Sequence, residues 1–278
     1  MPYANPNALV DTQWVADHAQ DPKVRLIEVD VDVNAYAEGH IPGASAWNWT
    51  SQLQDQVRRD VASKADLEAL LRRAGVNNDS TVILYGDNNN WFAAYAYWLL
   101  KMHGLEDVRL MNGGRKKWLD EGRETTTDEP AQAEGKVTLK DRDETIRARR
   151  DQVKAALDAG GSALVDVRSP AEFSGEILAP PGLSETAQRG GHIPGAANVP
   201  WAQAVNEDGT FKSPEDLEKL YGAKGVAGDK PVIAYCRIGE RSSHTWFALK
   251  ELLGYDDVRN YDGSWTEWGS MVDMPIER

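Results

Sequence analysis

The chain carries two copies of one sequence unit, and this internal repeat constrains its fold more than any other feature. The hexapeptide Gly-His-Ile-Pro-Gly-Ala at positions 39–44 recurs at positions 191–196. The apolar run 82–85 matches 232–235, and glycine, tryptophan and Asp-Val-Arg matches follow at the same spacing of 150 residues. A shared hexapeptide and a series of ungapped matches are hard to obtain by chance. The sequence therefore predicts two domains of one fold, related by internal duplication and each of a common domain size.

Each copy alternates short β-prone runs with helical stretches. This alternation predicts the α/β class, with a parallel sheet flanked by helices in each domain. The predicted boundaries are 1–124 for the first domain, 125–140 for a linker and 141–278 for the second domain. The start of the linker, 125–135, is rich in Thr, Glu and Ala and is predicted to be exposed. Residues 136–139 are predicted as a possible first strand of the second copy.

The second copy is the longer one, with its additional residues near 174–190. That stretch contains Pro180, Pro181 and Gly182, which is typical of a loop.

The single cysteine, Cys236, stands at the end of the apolar run 232–235. This run predicts a buried strand, and 242–253 predicts a helix with its apolar residues on one face. Cys236 would then open a tight loop at the carboxyl end of a strand, where ligands bind in parallel sheets. One cysteine excludes an internal disulfide or a Cys-x-x-Cys pair, and no Cys and His residues have metal-ligand spacing.

The surroundings of Cys236 favour a reactive thiol over an inert, buried one. Arg237 and Arg241 flank it, and a helix start follows. Positive charge and helix-terminal amides stabilise a thiolate, so we expect a lowered thiol pKa. The alternative is a small apolar side chain packed in the core.

The first copy lacks this chemistry. Gly86 stands at the position of the cysteine, and Asp87 and Trp91 stand at those of the two arginines. We therefore expect one catalytic copy and one structural copy, with a site between them. A binding or regulatory module without activity is the non-enzymatic alternative.

Charge and hydropathy limit the partners. The formal net charge of −13 argues against nucleic acid and anionic membranes, because both require a basic surface. The longest apolar run, 91–100, is far shorter than a bilayer span. The first seven residues have no basic or apolar segment of a secretory signal, and a free thiol suits a reducing compartment, so we expect a cytoplasmic protein.

Together these features resemble the tandem-domain rhodaneses over almost the whole chain. The features are His-Ile-Pro-Gly-Ala in both copies, Cys-Arg-x-Gly-x-Arg in the second copy alone, and Asn112-Gly-Gly114 near the end of the first. The resemblance implies two rhodanese-like domains, an inactive one over 1–124 and a catalytic one over 141–278. It implies a thiosulfate sulfurtransferase without a cofactor. Its donor would be thiosulfate, and its acceptor cyanide or a thiol or dithiol.

The resemblance implies that Cys236 attacks the sulfane sulfur of thiosulfate, releases sulfite and becomes a persulfide. Arg237 and Arg241 would hold the sulfonate oxygens. The amides of the loop from Arg237 to Ser242 would converge on the sulfur, with Gly239 allowing the chain to curl. The substrate-binding residues expected in this loop are Arg237, Ile238, Gly239, Glu240, Arg241 and Ser242.

Two other reactions remain open as alternatives. Cysteine phosphatases and arsenate-type enzymes of this fold use Cys-x5-Arg, whereas this chain has Cys-x4-Arg and Ser242 at the later position. The 3-mercaptopyruvate sulfurtransferases resemble Cys-Gly-Ser-Gly at the loop, whereas Arg237 and Ile238 follow the cysteine here. Vertebrate-type rhodaneses place an arginine where this chain has Pro194. We expect Arg189 of the inserted loop to be able to compensate.

Several residues near the loop have predicted supporting roles. Asp166 is predicted to orient Arg237 or Arg241. Glu240 either pairs with an arginine or lies on an exposed rim. His244 is expected to pack, and Ser242 and its neighbour Ser243 to cap the following helix.

Overall fold

The chain consists of two compact units. The computed structural model describes residues 1–30, 32, 34–182 and 185–278. The N-terminal unit comprises Asn7–Asp143 and Glu207–Thr210. The C-terminal unit comprises Met1–Pro6, Glu144–Asn206 and Phe211–Arg278.

The N-terminal unit is built on a five-stranded sheet in which all the strand pairs are parallel. Its strands are β1 (Leu9–Val10), β2 (Val24–Asp30), β3 (Ser45–Asn48), β4 (Thr81–Tyr85) and β5 (Val108–Met111), in the order β1-β5-β4-β2-β3. Its helices are α1 (Thr12–His18), α2 (Asn34–Glu38), α3 (Trp49–Gln52), α4 (Lys64–Arg73), α5 (Trp91–Met102) and α6 (Gly114–Asp120). Strand β4 is buried from Val82 to Tyr85, as expected of a central parallel strand covered on both faces.

The C-terminal unit repeats this plan on a four-stranded parallel sheet. Its strands are β6 (Ala163–Asp166), β7 (Ala197–Asn198), β8 (Val232–Tyr235) and β9 (Val258–Tyr261), in the order β7-β6-β8-β9. Its helices are α7 (Arg150–Ala159), α8 (Pro170–Ser174), α9 (Pro214–Gly222), α10 (Glu240–Phe247) and α11 (Ser264–Trp268), and a π-helical turn, Ala248–Leu252, extends α10. The predicted α/β class with two duplicated parallel-sheet domains is confirmed, since β3-β2-β4-β5 and β7-β6-β8-β9 follow one order.

The predicted strand at 136–139 is wrong. Val137 and Leu139 are buried, as an alternating strand pattern suggests, but the backbone is held by side chains instead of a sheet. The amide of Lys136 donates to Asn77 Oδ1 at 2.8 Å, and that of Leu139 donates to Glu68 Oε1 at 3.0 Å. The segment therefore belongs to the N-terminal unit.

The inserted stretch 175–190 forms neither helix nor strand among its described residues. Leu183 and Ser184 of this predicted loop lie outside the described residues. Across the described part of the chain, none of the helices has the length and apolarity needed to cross a lipid bilayer.

Candidate active site

Cys236 lies directly after β8, at the carboxyl end of that central strand. Its side chain is fully buried. The amide of Gly239 donates to Sγ at 3.1 Å, and the amide of Cys236 itself donates to Ser264 Oγ at 3.0 Å. The chain therefore turns around the sulfur atom before α10 begins.

Gly239 makes this turn possible. Its φ is +100°, a conformation that residues with a side chain rarely adopt. A Cβ atom at this position would lie 2.6 Å from the Cα of Asp262. Asp262 is held in place by Arg147, whose Nε and Nη2 donate to its two carboxylate oxygens at 2.8 and 2.7 Å. Neither backbone conformation nor space permits another residue here without a shift.

The predicted start of the helix is corrected by two residues, because Gly239 ends the loop and α10 begins at Glu240. Ser242 and Ser243 do not cap it. Their hydroxyls donate to the carbonyl oxygen of Gly239 at 3.1 and 2.8 Å. Asn260 of β9 donates to the same carbonyl at 3.1 Å, so the end of the loop is tied to the neighbouring strand.

Arg241 is buried and paired with Glu172 of α8. Its Nη1 and Nη2 donate to the two oxygens of Glu172, each at 3.0 Å. Burial raises the pKa of Glu172, but the hydrogen bonds and charge of Arg241 outweigh it and leave the pKa lowered. The amide of Ser169 donates to the same carboxylate at 3.1 Å in a capping box of α8.

Arg237 lies beside the sulfur in the sequence and is 6% exposed. Its Nη1 donates to the carbonyl oxygen of Glu185 in the inserted loop. Its Nε is buried and has no hydrogen-bond partner among the described residues. Its carbonyl oxygen accepts from the amide and the hydroxyl of Thr266, at 3.0 and 2.8 Å. A buried, fixed guanidinium with an unused donor suits an anionic ligand.

Glu240 and Ile238 are both buried, so Glu240 is not an exposed rim residue. Oε2 of Glu240 accepts from the Cys236 thiol at an S···O distance of 3.4 Å. Its Oε1 lies 3.8 Å from Nε of Arg241. The carboxylate therefore contacts the thiol and lies near one arginine.

The thiol pKa differs in direction from the sequence expectation. Burial raises the pKa of Cys236, and the charge of Glu240 raises it further. The charge of Arg241 and the hydrogen bonds of Ser242 lower it, but not enough to offset the burial. The sequence shows the two arginines but not the depth of the sulfur, which explains the difference.

Asp166 supports a different arginine from those predicted. It binds Arg168, whose Nε and Nη2 donate to its carboxylate at 2.5–3.1 Å. Glu172 takes the role toward Arg241 that the sequence assigned to Asp166. Arg168 in turn donates to the carbonyl of Gly191 at 2.7 Å and lies over the ring of Trp265.

Arg189 is engaged by the C-terminal segment. Its guanidinium donates to the carbonyl oxygens of Trp268, Gly269, Met271 and Met274 at 2.7–3.4 Å. These contacts give Arg189 a role in holding the C-terminal segment, and its contact with substrate stays a prediction.

His244, on α10, is completely buried. It stacks on Phe211 with ring centroids 4.5 Å apart and meets Trp201 edge-on at 5.3 Å. Burial lowers its pKa to about 3. These contacts agree with the packing role expected from the sequence.

The side chain of Asn90 fills the loop of the N-terminal unit that matches the cysteine loop. Asn90 Oδ1 accepts from the amide of Gly86 at 3.0 Å, and its Nδ2 donates to the carbonyl of Met111 at 2.6 Å. Asn88, Asn89 and Asn90 all have positive φ, between 45° and 66°. Among the described residues, this loop contains neither a thiol nor an arginine at the matching positions.

Glu172, Ser264 and Asn260 are residues that sequence reasoning missed. The Ser169-x-x-Glu172 spacing marks a helix start. It does not show that the carboxylate reaches a residue 69 positions away. Ser264 and Asn260 follow from the proximity of β9 to β8, which only the fold reveals.

The fold and this loop define a class of α/β proteins that present one cysteine among amide donors and buried arginines at the end of a central parallel strand. The sequence model of the rhodanese-like domain matches residues 11–121 and 149–271. The chain belongs to the rhodanese family.

Several relatives match almost the full length of the chain, among them proteins of Haloferax volcanii and Thermus thermophilus. A Haloferax volcanii protein with the name "Putative thiosulfate sulfurtransferase" is 59% identical over 277 residues, covering 98% of this chain and 96% of that protein. The sulfur carrier protein TtuD of Thermus thermophilus is 54% identical over 282 residues, covering 100% and 99%.

Among solved structures, SseA from Escherichia coli, described as a 3-mercaptopyruvate sulfotransferase, superposes with a TM-score of 0.80 at 29% identity. The match covers 93% of this chain and 98% of that one. The family and the names of the relatives support sulfurtransferase activity.

Proposed function

We propose that the protein is a thiosulfate sulfurtransferase that carries sulfur as a persulfide on Cys236. The observation that carries the proposal is the contact between the Cys236 sulfur and the Gly239 amide, 3.1 Å, in a loop with two buried arginines. A sulfur atom added to Sγ would lie close to this amide and to the charge of the two arginines. The loop therefore suits a persulfide anion.

The donor is a dianion, and the chain as a whole is strongly acidic. Local positive charge must therefore attract it. The unused Nε of Arg237 offers a hydrogen bond to a sulfonate oxygen. Arg241 contributes charge from a fixed position, because Glu172 engages both of its terminal nitrogens.

The acceptor is cyanide or a thiol. The name of the Thermus thermophilus relative describes a sulfur carrier, which favours onward transfer of the sulfur to another molecule. The chemistry is a double displacement with a covalent intermediate.

The second candidate is 3-mercaptopyruvate sulfurtransferase activity, which the likeness to SseA favours. The two residues after the cysteine argue against this activity. Arg237 and Ile238 stand where the 3-mercaptopyruvate enzymes resemble Gly-Ser, and Arg237 adds a cation. A phosphatase or arsenate-type reaction is disfavoured by the short Cys-x4-Arg loop, because Ser242 occupies the position of the later arginine.

Intact mass of the purified protein, before and after thiosulfate, tests the proposal. We expect a gain of about 32 Da that cyanide removes and that Cys236→Ala abolishes. A gain with mercaptopyruvate but not with thiosulfate would transfer the assignment to the second candidate. No gain with either donor would refute sulfur transfer through this loop.

A further inference from the structure

Glu240 contacts the atom that would carry the sulfur. Its Oε2 and Cys236 Sγ are 3.4 Å apart, with the thiol as donor. Glu240 is 2% exposed and the cysteine is fully buried. A thiol and a carboxylate in contact, away from water, can exchange a proton directly.

The other acids around the loop have arginine partners at shorter distances. Glu172 accepts two hydrogen bonds of 3.0 Å from Arg241. Asp262 follows β9 and lies against Gly239, and it accepts hydrogen bonds of 2.7–2.8 Å from Arg147. Glu240 approaches Arg241 only at 3.8 Å. Its closer contact is with the thiol, so its position is explained better by the sulfur atom than by an ion pair.

We propose that Glu240 is a catalytic residue that takes the proton of Cys236 when sulfur is loaded and returns it when sulfur is passed on. This inference rests on the proposed function and adds a proton acceptor to it.

In the loading step, the Sγ–H bond breaks and the proton moves to Oε2 of Glu240, while the Sγ electron pair attacks the sulfane sulfur of thiosulfate. The sulfur–sulfur bond of thiosulfate breaks, and sulfite leaves with its electron pair. The protein then holds a persulfide anion on Cys236 beside a neutral Glu240.

Discharge reverses the proton transfer. Cyanide attacks the outer sulfur, the persulfide bond breaks, and its electron pair stays on Sγ of Cys236. The proton returns from Glu240, and thiocyanate leaves. The thiol–carboxylate pair carries one negative charge before and after each step, so Cys236 and Glu240 are never both anionic, which burial would strongly disfavour.

The test uses Glu240→Gln, which keeps the size of the side chain but cannot accept the proton. Sulfite release in a single turnover is measured over a range of about pH 6 to 9, together with the rate of Cys236 alkylation by iodoacetamide. We expect the variant to release sulfite about 100-fold more slowly near neutral pH, with a rate that rises with pH. We expect the wild-type rate to be nearly flat over the same range.

Alkylation should change in the opposite direction. Removing the charge of Glu240 lowers the pKa of Cys236, so the variant should be alkylated at lower pH than the wild type. A thiol that ionises more easily and yet transfers sulfur more slowly is the signature of a lost proton acceptor. Glu240→Asp, which retains a carboxylate, should keep the wild-type pH profile at a reduced rate and controls for disturbed folding.

Two results would overturn the inference. Sulfite release by Glu240→Gln as fast as that of the wild type would leave Glu240 as a source of charge only. A weaker affinity for thiosulfate with an unchanged pH profile would make it a positioning residue for Arg241. Failure of the wild type to gain sulfur would refute the proposed function itself, which separates the two questions.

Discussion

Glu172 and Arg241 form a two-point ion pair in which each terminal nitrogen of the arginine lies 3.0 Å from one carboxylate oxygen. Glu172 is on α8, which follows β6, and Arg241 is on α10, which follows the adjacent strand β8. The pair therefore fixes a buried cation of the cysteine loop from the neighbouring strand–helix connection.

Replacing Glu172 with Gln should destabilise the protein and weaken donor binding. The substitution leaves Arg241 buried without its counter-charge, which costs about 3–5 kcal/mol. We expect a lower midpoint in urea unfolding and a higher KM for thiosulfate. Glu176→Gln, an exposed acid just beyond the same helix, is the matched control and should change neither. Equal stability of the two variants would contradict the importance of the pair.

Gly239→Ala should cost more stability than another glycine with positive φ. At Gly239 the new Cβ would meet the Asp262 backbone at 2.6 Å, whereas at Gly160, with φ +68°, nothing lies within 4 Å. Gly160→Ala then measures the conformational cost alone, about 1–2 kcal/mol. We expect Gly239→Ala to lose about 1–3 kcal/mol more and to form little persulfide. Urea unfolding and intact mass check both points, and a cost no larger than that of Gly160→Ala would argue against the collision.

His244 should make the protein sensitive to acid. Burial lowers its pKa from 6.5 to about 3, so the unfolded chain binds the additional proton between these values. Stability contributed by the neutral ring is present above pH 6.5 and is lost as pH falls toward 3, by about 1.4 kcal/mol per unit. His244→Phe should be less sensitive when unfolding is compared at two pH values in this range. Parallel pH dependence in the two proteins would contradict this assignment.

Asp30 and Asp87 should give the N-terminal unit the opposite pH dependence. Burial, followed for Asp87 by the charge of Asp30, raises each pKa from 3.8 to about 7. The folded unit holds more protons than the unfolded chain between these values, so its stability falls as pH rises through this range. We expect Asp87→Asn to stabilise the unit above pH 7 and to have less effect near pH 4.

Amide hydrogen exchange of β4 reports this change within the N-terminal unit, because its backbone lies in the centre of that sheet. Faster exchange in Asp87→Asn than in the wild type above pH 7, after correction for the intrinsic rate, would refute the assignment.

Local patterns predicted the frame of the site well. The run 232–235 forms β8 with the predicted bounds, because four consecutive apolar residues need cover on both faces of a parallel sheet. The position of Cys236 after this strand follows from the same pattern. The repeat predicted two domains of one fold, and the order that β3-β2-β4-β5 shares with β7-β6-β8-β9 agrees with it.

Contacts between residues that are far apart in the chain could not be predicted from the sequence. Asp166 and Glu172 are both plausible partners for an arginine of the cysteine loop. Asp166 ends the strand next to β8, but only the fold shows that it binds Arg168 instead. The depth of Cys236 depends on the packing of several elements, so the direction of its pKa shift was wrongly expected. The segment 136–139 has a strand pattern, yet its amides at positions 136 and 139 donate to side-chain oxygens instead of to a neighbouring strand.

The loop of the N-terminal unit that matches the cysteine loop has no room for a side chain at position 86. A Cβ at Gly86, the counterpart of Cys236, would lie 2.4 Å from the carbonyl oxygen of Val29. A Cβ at Gly114 would likewise lie 2.4 Å from Asn90 Oδ1. A cysteine at position 86 would therefore bring its Cβ into collision with the backbone of β2. A copy of the cysteine loop at this position would thus need a shift of the Val29 backbone in addition to arginines at positions 87 and 91, where the chain has Asp87 and Trp91.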